Sequence, residues 1–140
     1  KDMNIAHQYV TYEIAKLLKE IGFAEKCSHY YVTDFQNFKA DGLLKKTTLP
    51  EDIENDNVFY FVDRSRQHHL LVAPEIWQVV EWLRVKHAIW ISCDYMDELL
   101  NFYWTITDIK TNTDELGTFN CDTPEEAYLA AITYILTKLI

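Results

Sequence analysis

The sequence predicts an α+β fold of two layers, in which three amphipathic helices pack on a small, mainly antiparallel sheet. Two observations support this prediction. Apolar residues recur at helical spacing in three segments, one near each end of the chain and one at its centre. Between these segments lie short runs of aromatic and β-branched residues, which are typical of strands.

The first helix is predicted to end at Ile21. Gly22 suits the left-handed conformation that closes a helix, and Phe23 stands where a Schellman motif packs an apolar residue against Leu18. Either Thr11 or Asn4 fits the N-cap position, and the sequence leaves both open. The apolar side of this helix consists of five residues at helical spacing: Val10, Ile14, Leu17, Leu18 and Ile21.

The segment after the first helix contains three predicted strands. Residues 30–32 form a short strand, and the polar residues 33–57 form a long surface excursion. The aromatic run at residues 58–62 predicts a second strand, which a turn at residues 63–66 connects to a partner strand near residues 69–72.

A second helix and a hairpin are predicted in the centre of the chain. Pro74 fits the first position of the helix, where the missing N–H costs nothing. The apolar side of the helix is formed by Ile76, Val79, Val80 and Leu83. Two antiparallel strands follow at residues 88–92 and 102–107, with residues 94–101 as their connection; residues 112–117 are turn-like, and residues 118–119 form a brief return strand.

The last helix has the clearest start signal in the chain. Thr123 is the predicted N-cap, Pro124 occupies the first helical position, and Glu126 completes a capping box. The apolar side of this helix is formed by Tyr128, Ile132, Ile135, Leu136 and Leu139.

Length and composition predict one globular domain spanning residues 1–140. The chain is 49% hydrophobic and 25% charged and has only 3 Gly and 3 Pro, so long flexible linkers are not expected. Its apolar runs are too short to span a bilayer, and its start lacks the apolar core of a signal peptide. The widely spaced Cys27, Cys93 and Cys121 predict reduced thiols, and therefore a cytoplasmic protein with no membrane contact.

The net charge of −9 is unevenly distributed along the chain. The last 50 residues contain nine acidic side chains against Lys110 and Lys138, which leaves a charge of −7 there. Nucleic acids bind through Lys and Arg, so this distribution argues against direct nucleic-acid binding. It favours the hypothesis of an acidic inhibitor, a nucleic-acid mimic that binds a basic partner protein.

Three segments carry a resemblance to a known group of proteins. They are residues 12–23, the run at residues 73–87 with the short strand after it, and the start of the last helix at Glu125-Glu126-Ala127. Together they resemble small uncharacterised proteins of phages and prophage-like elements of Bacteroides-type bacteria. The resemblance does not extend to residues 33–57. It implies a mobile-element context and assigns no activity and no functional residues.

The residue types that usually indicate catalysis or metal binding are poorly arranged here. With glycine only at positions 22, 42 and 117, neither a P-loop nor a dinucleotide-binding motif is possible, and no cofactor is expected. Adjacent side chains such as His68 and His69 point to opposite faces of a strand, so they are unsuited to chelating one ion. Asp94, Asp97 and Glu98 would share one face if residues 95–100 were helical, which keeps a carboxylate-based metal enzyme as a third hypothesis.

The second helix is apolar on more than one side. At about 100° per residue, Trp77 and Trp82 lie on opposite flanks of the apolar side, and Val85 lies opposite it. Tryptophans can simply widen a core contact, or they can anchor another chain. The leading hypothesis is a non-catalytic protein-interaction module that uses Trp77, Trp82 and Val85 to bind a protein partner or a second copy of itself.

Overall fold

The computed structural model describes residues 8–34, 45–46, 59–63, 66–117 and 120–140. The chain divides into two compact units, one formed by Tyr9–Pro74 and the other by Glu75–Ile140 together with Lys1–Gln8. The described residues contain three helices and two small antiparallel sheets, so the predicted α+β class is confirmed. That residues 1–140 form a single domain stays a prediction.

The unit formed by Tyr9–Pro74 contains a four-stranded antiparallel sheet with the order β2-β1-β4-β3. Its strands are β1 (His29–Asp34), β2 (Lys45–Lys46), β3 (Phe59–Asp63) and β4 (Arg66–Val72). The strands predicted at residues 30–32 and 69–72 are thereby confirmed, and so is the strand predicted at 58–62 over its described residues 59–62. β2 lies within the predicted polar excursion, most of which falls outside the described residues, as do residues 64 and 65 of the predicted turn.

Helix α1 (Tyr12–Glu20) begins and ends at the signals that the sequence carries. The Thr11 hydroxyl accepts a hydrogen bond from the backbone N–H of Ile14 at 3.3 Å, so Thr11 is the N-cap. Gly22 has a φ of +88°, and the Phe23 N–H donates to the Leu18 carbonyl at 2.9 Å. This is the predicted Schellman motif, with glycine in the left-handed conformation.

The other unit contains a separate sheet with the order β5-β6-β7. Its strands are β5 (Ile89–Met96), β6 (Asn101–Asp108) and β7 (Thr113–Leu116). The prediction of one sheet was therefore wrong, because each group of strands pairs with its own neighbours along the chain. The prediction of turn-like structure at residues 112–117 was also wrong, since most of that segment is β7. The turn precedes it, and Thr107 and Asp114 join β6 to β7 through a 2.7 Å hydrogen bond.

Helix α2 (Ile76–His87) begins later than the sequence predicted. Pro74 is not its first residue, because the Pro74 carbonyl accepts a hydrogen bond from the Val10 N–H at 3.1 Å within an extended segment. Glu75 is the N-cap, with an extended backbone and no side-chain hydrogen bond to the helix. The first helical N–H, that of Ile76, donates to the Gln8 carbonyl at 2.9 Å.

Helix α3 (Pro124–Tyr134) continues into a π-helical turn (Ile135–Leu139). The Thr123 hydroxyl accepts from the Glu126 N–H at 3.2 Å, as predicted for the N-cap. The Glu126 carboxylate reaches back to the Asp122 N–H at 2.8 Å rather than to that of Thr123. α3 packs on β5, β6 and α2 through a buried side made of Ala127, Ala131, Ile132, Ile135 and Leu136. Two further residues were predicted for this side: Tyr128 is half-buried, and Leu139 is exposed.

Buried side chains alternate with less buried ones in part of the hairpin beneath α3. Ile89 and Ile91 of β5 are buried, as are Trp104 and Ile106 of β6. The intervening residues of both strands are only half-buried. Each fully buried large apolar side chain stabilises the fold by about 1.5–3 kcal/mol.

Candidate interaction surface

The three residues predicted to form an interaction surface on α2 are not equally accessible. Trp77 and Val85 are 58% and 63% exposed, whereas Trp82 is 9% exposed and belongs to the core. Trp82 therefore widens the buried side of the helix. Trp77 and Val85 remain on the outside, where they are available to another molecule.

Helix geometry explains which side chains surround the two exposed residues. Val85 follows Trp77 by eight positions, which places the two about 80° apart around the helix axis. Glu81 and Arg84 lie between them in the sequence and on the same side of the helix. We call this surface, formed by Trp77, Glu81, Arg84 and Val85, the α2 outer face.

An ion pair lies at the centre of the α2 outer face. Arg84 donates from Nε to Glu81 Oε1 at 3.1 Å and from Nη2 to Oε2 at 3.0 Å. This hydrogen bonding lowers the pKa of Glu81 and raises that of Arg84. Because both charges are satisfied on the helix itself, the apolar Trp77 and Val85 are the parts of the face that gain most from a partner.

The Trp77 ring is supported by a second tryptophan. Its centroid lies 6.5 Å from that of Trp90 on β5, with the rings at 88° to each other. Edge-to-face pairs of this kind are favourable and restrict the rotation of an exposed ring. Trp77 is therefore held in place before any partner arrives, which lowers the entropy cost of binding.

A groove of about 250 Å³ lies beside Trp77, between the starts of α2 and α3. Ile76 and Val80 form its apolar floor, and both are buried. The rest of the lining consists of two aromatic side chains (Trp77 and Tyr128), two carboxylates (Glu75 and Glu125), Gln8 and Pro124. None of these lining residues is a Lys, Arg or His.

The charged side chains that influence the groups near the groove are acidic. Cys93 on β5 lies at the start of α3, with its thiol 3.9 Å from the Pro124 carbonyl. Burial raises the pKa of this thiol, and the charges of Asp94 and Glu125 raise it further. Burial also raises the pKa of Tyr128, and the charge of Asp94 adds to that effect. Burial is the largest cause of both shifts, and the nearby carboxylates add to them.

The acidic residues of this unit are widely spread over its sheet. Eight of the nine acidic side chains after residue 90 are exposed, and only Glu125 is half-buried. Asp97 and Glu98 lie in the turn before β6, whereas Asp108 is at its far end. An eight-residue strand is about 24 Å long. Asp94 and Glu115 lie at register positions between these two ends, so the acidic residues are distributed along the whole sheet.

The hypothetical carboxylate site on residues 94–98 does not have the helical geometry that it requires. Asp94 lies in β5 opposite Tyr103, and Tyr95 and Met96 continue the same ladder, so that the turn begins only at Asp97. Among the residues that the structure describes, no group of three or more His, Cys, Asp or Glu side chains is arranged to hold a metal ion.

Comparison with known proteins does not add a relationship. The chain has no significant match to a protein-family model, a curated protein or a solved structure. In the described part of the chain, no helix has the length and apolar character needed to cross a bilayer.

Sequence reasoning identified Trp77 but missed the groove beside it. Tyr128 was assigned to the buried side of α3, and Glu125 was assigned to the first turn of that helix. A helix that begins at Pro74 would make Glu75 its second residue, whereas Glu75 is the N-cap. The one available signal was that Glu75 and Glu125 each follow a proline near the start of a helix, and whether they line one groove depends on how those helices pack.

Proposed function

We propose that this protein is a non-catalytic protein-interaction module that binds a protein partner or a second copy of itself through the α2 outer face. The main support is the exposure of Trp77 and Val85 on a helix whose other side is buried. Single exposed apolar residues are common, but tryptophan is enriched among residues that dominate binding energy. The support of Trp77 by Trp90 adds a preorganised anchor.

The cellular setting of the proposed module is inferred from the sequence. The resemblance of residues 12–23 and 73–87 supports a place in a phage or prophage-like element. Cys27, Cys93 and Cys121 are all thiols rather than disulfides, which supports a cytoplasmic location.

The alternative of an acidic nucleic-acid mimic has less support. Its motivating observation, the exposure of Asp94, Asp97, Glu98 and their neighbours, is present. A mimic of a phosphate backbone needs a regular row of charges on one face, however, whereas the acidic residues are divided among the sheet, its turns and the start of α3. The proposed interaction through Trp77 and Val85 does not depend on such a row.

The proposal can be tested by photo-crosslinking in cells that naturally make the protein. A photoreactive amino acid replaces Val85 in one variant and Leu116 in a control variant, because Leu116 is similarly exposed at 57% but lies on β7. We expect a discrete product from position 85 only. In a lysate of the same cells the product should also form when irradiation takes place at about 1 M salt, where electrostatic contacts are screened within about 3 Å.

The mass of the product identifies the kind of partner. A product of twice the chain mass indicates a second copy, and any other discrete mass indicates a different protein. Equal products from positions 85 and 116, or no product from either, would contradict the proposal. A product at position 85 that forms in a low-salt lysate but not in a high-salt lysate would instead favour the acidic-mimic alternative.

A further inference from the structure

The groove between the starts of α2 and α3 has the dimensions of a site for a side chain. Its volume of about 250 Å³ is below the range of roughly 300–1,000 Å³ that is common for drug-sized ligands. The apolar floor of Ile76 and Val80 can cover a hydrocarbon stem. Trp77 lines the groove and also belongs to the α2 outer face, so a partner bound to that face would lie beside the groove.

The charges around the groove favour a cation over an anion. Each helix start contributes about half a positive charge, whereas Glu75 and Glu125 supply two full negative charges. The backbone donors that could hold an anion are also largely occupied. Ile76 N–H donates to Gln8, Glu126 N–H donates to Thr123, and Pro124 has no N–H to donate.

The aromatic rings of the groove make arginine the best-fitting cation. The flat guanidinium group stacks on aromatic rings and pairs with a carboxylate through two hydrogen bonds, whereas lysine presents a compact and strongly hydrated charge. Trp77, which is 58% exposed and held by Trp90, provides the ring, with Tyr128 across the groove lining. Glu125 provides a half-buried carboxylate whose interaction is less screened by water than a fully exposed one.

We propose that this groove binds an arginine side chain of a protein partner, with Glu125 and Glu75 pairing with the guanidinium group and Trp77 stacking on it. The inference rests on the proposed function, because it specifies the chemistry of the partner that binds beside the α2 outer face. It predicts that the partner presents an exposed arginine next to an apolar surface.

The test is a titration of the ¹⁵N-labelled chain with short acetylated and amidated peptides of Gly and Ser around one central residue. The central residue is arginine, citrulline, lysine or glutamate; citrulline has the shape of arginine without its charge. We expect millimolar binding of the arginine peptide, with shifts of the Trp77 indole and the Tyr128 amide. The citrulline and glutamate peptides should leave these signals unchanged.

Two variants locate the binding site. Glu125→Gln should weaken binding of the arginine peptide about fivefold, because it removes one close charge. Glu98→Gln is the matched control, because Glu98 is exposed in the β5–β6 turn and does not line the groove. It makes the same change in net charge and should leave the affinity unchanged.

Three results would overturn the proposal. If the citrulline peptide binds as tightly as the arginine peptide, the groove selects shape and not charge. If the lysine peptide binds as tightly, the groove accepts any cation and is not specific for arginine. Equal weakening by the two glutamate variants would mean that the peptide senses only the net charge. Failure of the proposed function is distinguishable by a separate variant. Val85→Asp should abolish partner crosslinking from a photoreactive amino acid at position 84, which also lies on the α2 outer face, yet leave binding of the arginine peptide intact.

Discussion

Gly117 lies directly against the indole ring of Trp104. Its N–H donates to the Trp104 carbonyl at 2.8 Å, and a Cβ atom added at Gly117 would overlap the six-membered part of the ring. Trp104 is 6% exposed, and its ring also contacts that of Tyr134 at a centroid distance of 5.4 Å. The absence of a side chain at position 117 is therefore what allows this tryptophan to pack under the end of β7.

Gly117→Ala should destabilise the protein by about 1–3 kcal/mol, since the ring of Trp104 would have to shift within a packed core. Urea unfolding followed by tryptophan fluorescence measures the loss. Leu116→Ala is the control, because Leu116 is the exposed neighbour on β7 and should change the stability by less than about 0.5 kcal/mol. A Gly117→Ala protein as stable as the control would contradict the close packing.

Thr123→Ala should cost about 1 kcal/mol, because it removes the acceptor that satisfies the Glu126 N–H at the start of α3. Thr133→Ala is a matched substitution on the same helix. The Thr133 hydroxyl is exposed and donates to the Leu129 carbonyl, which already belongs to the helix. Thermal unfolding should show a clear loss for position 123 and little change for position 133; similar losses would mean that the cap is not the cause.

The parts of the fold that were predictable depend on short-range chemistry. Gly22 with Phe23, and Thr123 with Glu126, are signals complete within four residues, and both helix ends form as the sequence predicts. Pro74 shows the opposite case. Its residue type suits a helix start, but a hydrogen bond from Val10, distant in sequence, keeps it in an extended segment.

The sequence predicts the helix that carries the candidate surface, but it does not show which flank of its apolar side is exposed. Trp77 and Trp82 lie on either flank of the same apolar side, so periodicity assigns them equal chances of burial. Packing decides between them, and it buries Trp82. The groove was beyond prediction for the same reason, because it is made by the meeting of α2 and α3, whose starts are 48 positions apart in the sequence.

Tyr31 should make stability dependent on pH in the alkaline range. Its buried hydroxyl donates to the Val10 carbonyl at 2.8 Å, and burial raises its pKa above the ordinary value of 10. A group with a raised folded-state pKa contributes stability that is present below the unfolded pKa and is lost as the pH rises through the folded pKa. Stability should therefore fall above about pH 10.

Tyr31→Phe isolates that contribution. It should cost about 1 kcal/mol near neutral pH, because the Val10 carbonyl loses its buried partner, and it should flatten the alkaline decline. Urea unfolding at pH 8 and above pH 10 measures both effects. The exposed Tyr95 provides the control, since Tyr95→Phe should leave stability at pH 8 nearly unchanged. An alkaline decline as steep in Tyr31→Phe as in the parent protein would contradict the assignment.

Cys93 reports on the acidic side chains near the groove without any ligand. Burial raises its thiol pKa, and the charge of Asp94 raises it further, so alkylation by iodoacetamide at pH 8 should be slower than for a free cysteine. Asp94→Asn should increase the rate about twofold by lowering that pKa. Asp108→Asn, at the far end of β6, makes the same change in net charge and should leave the rate unchanged. Peptide mass spectrometry measures the rate of alkylation at Cys93. Equal acceleration by both variants would mean that the thiol responds to the net charge of the protein and not to the nearby Asp94.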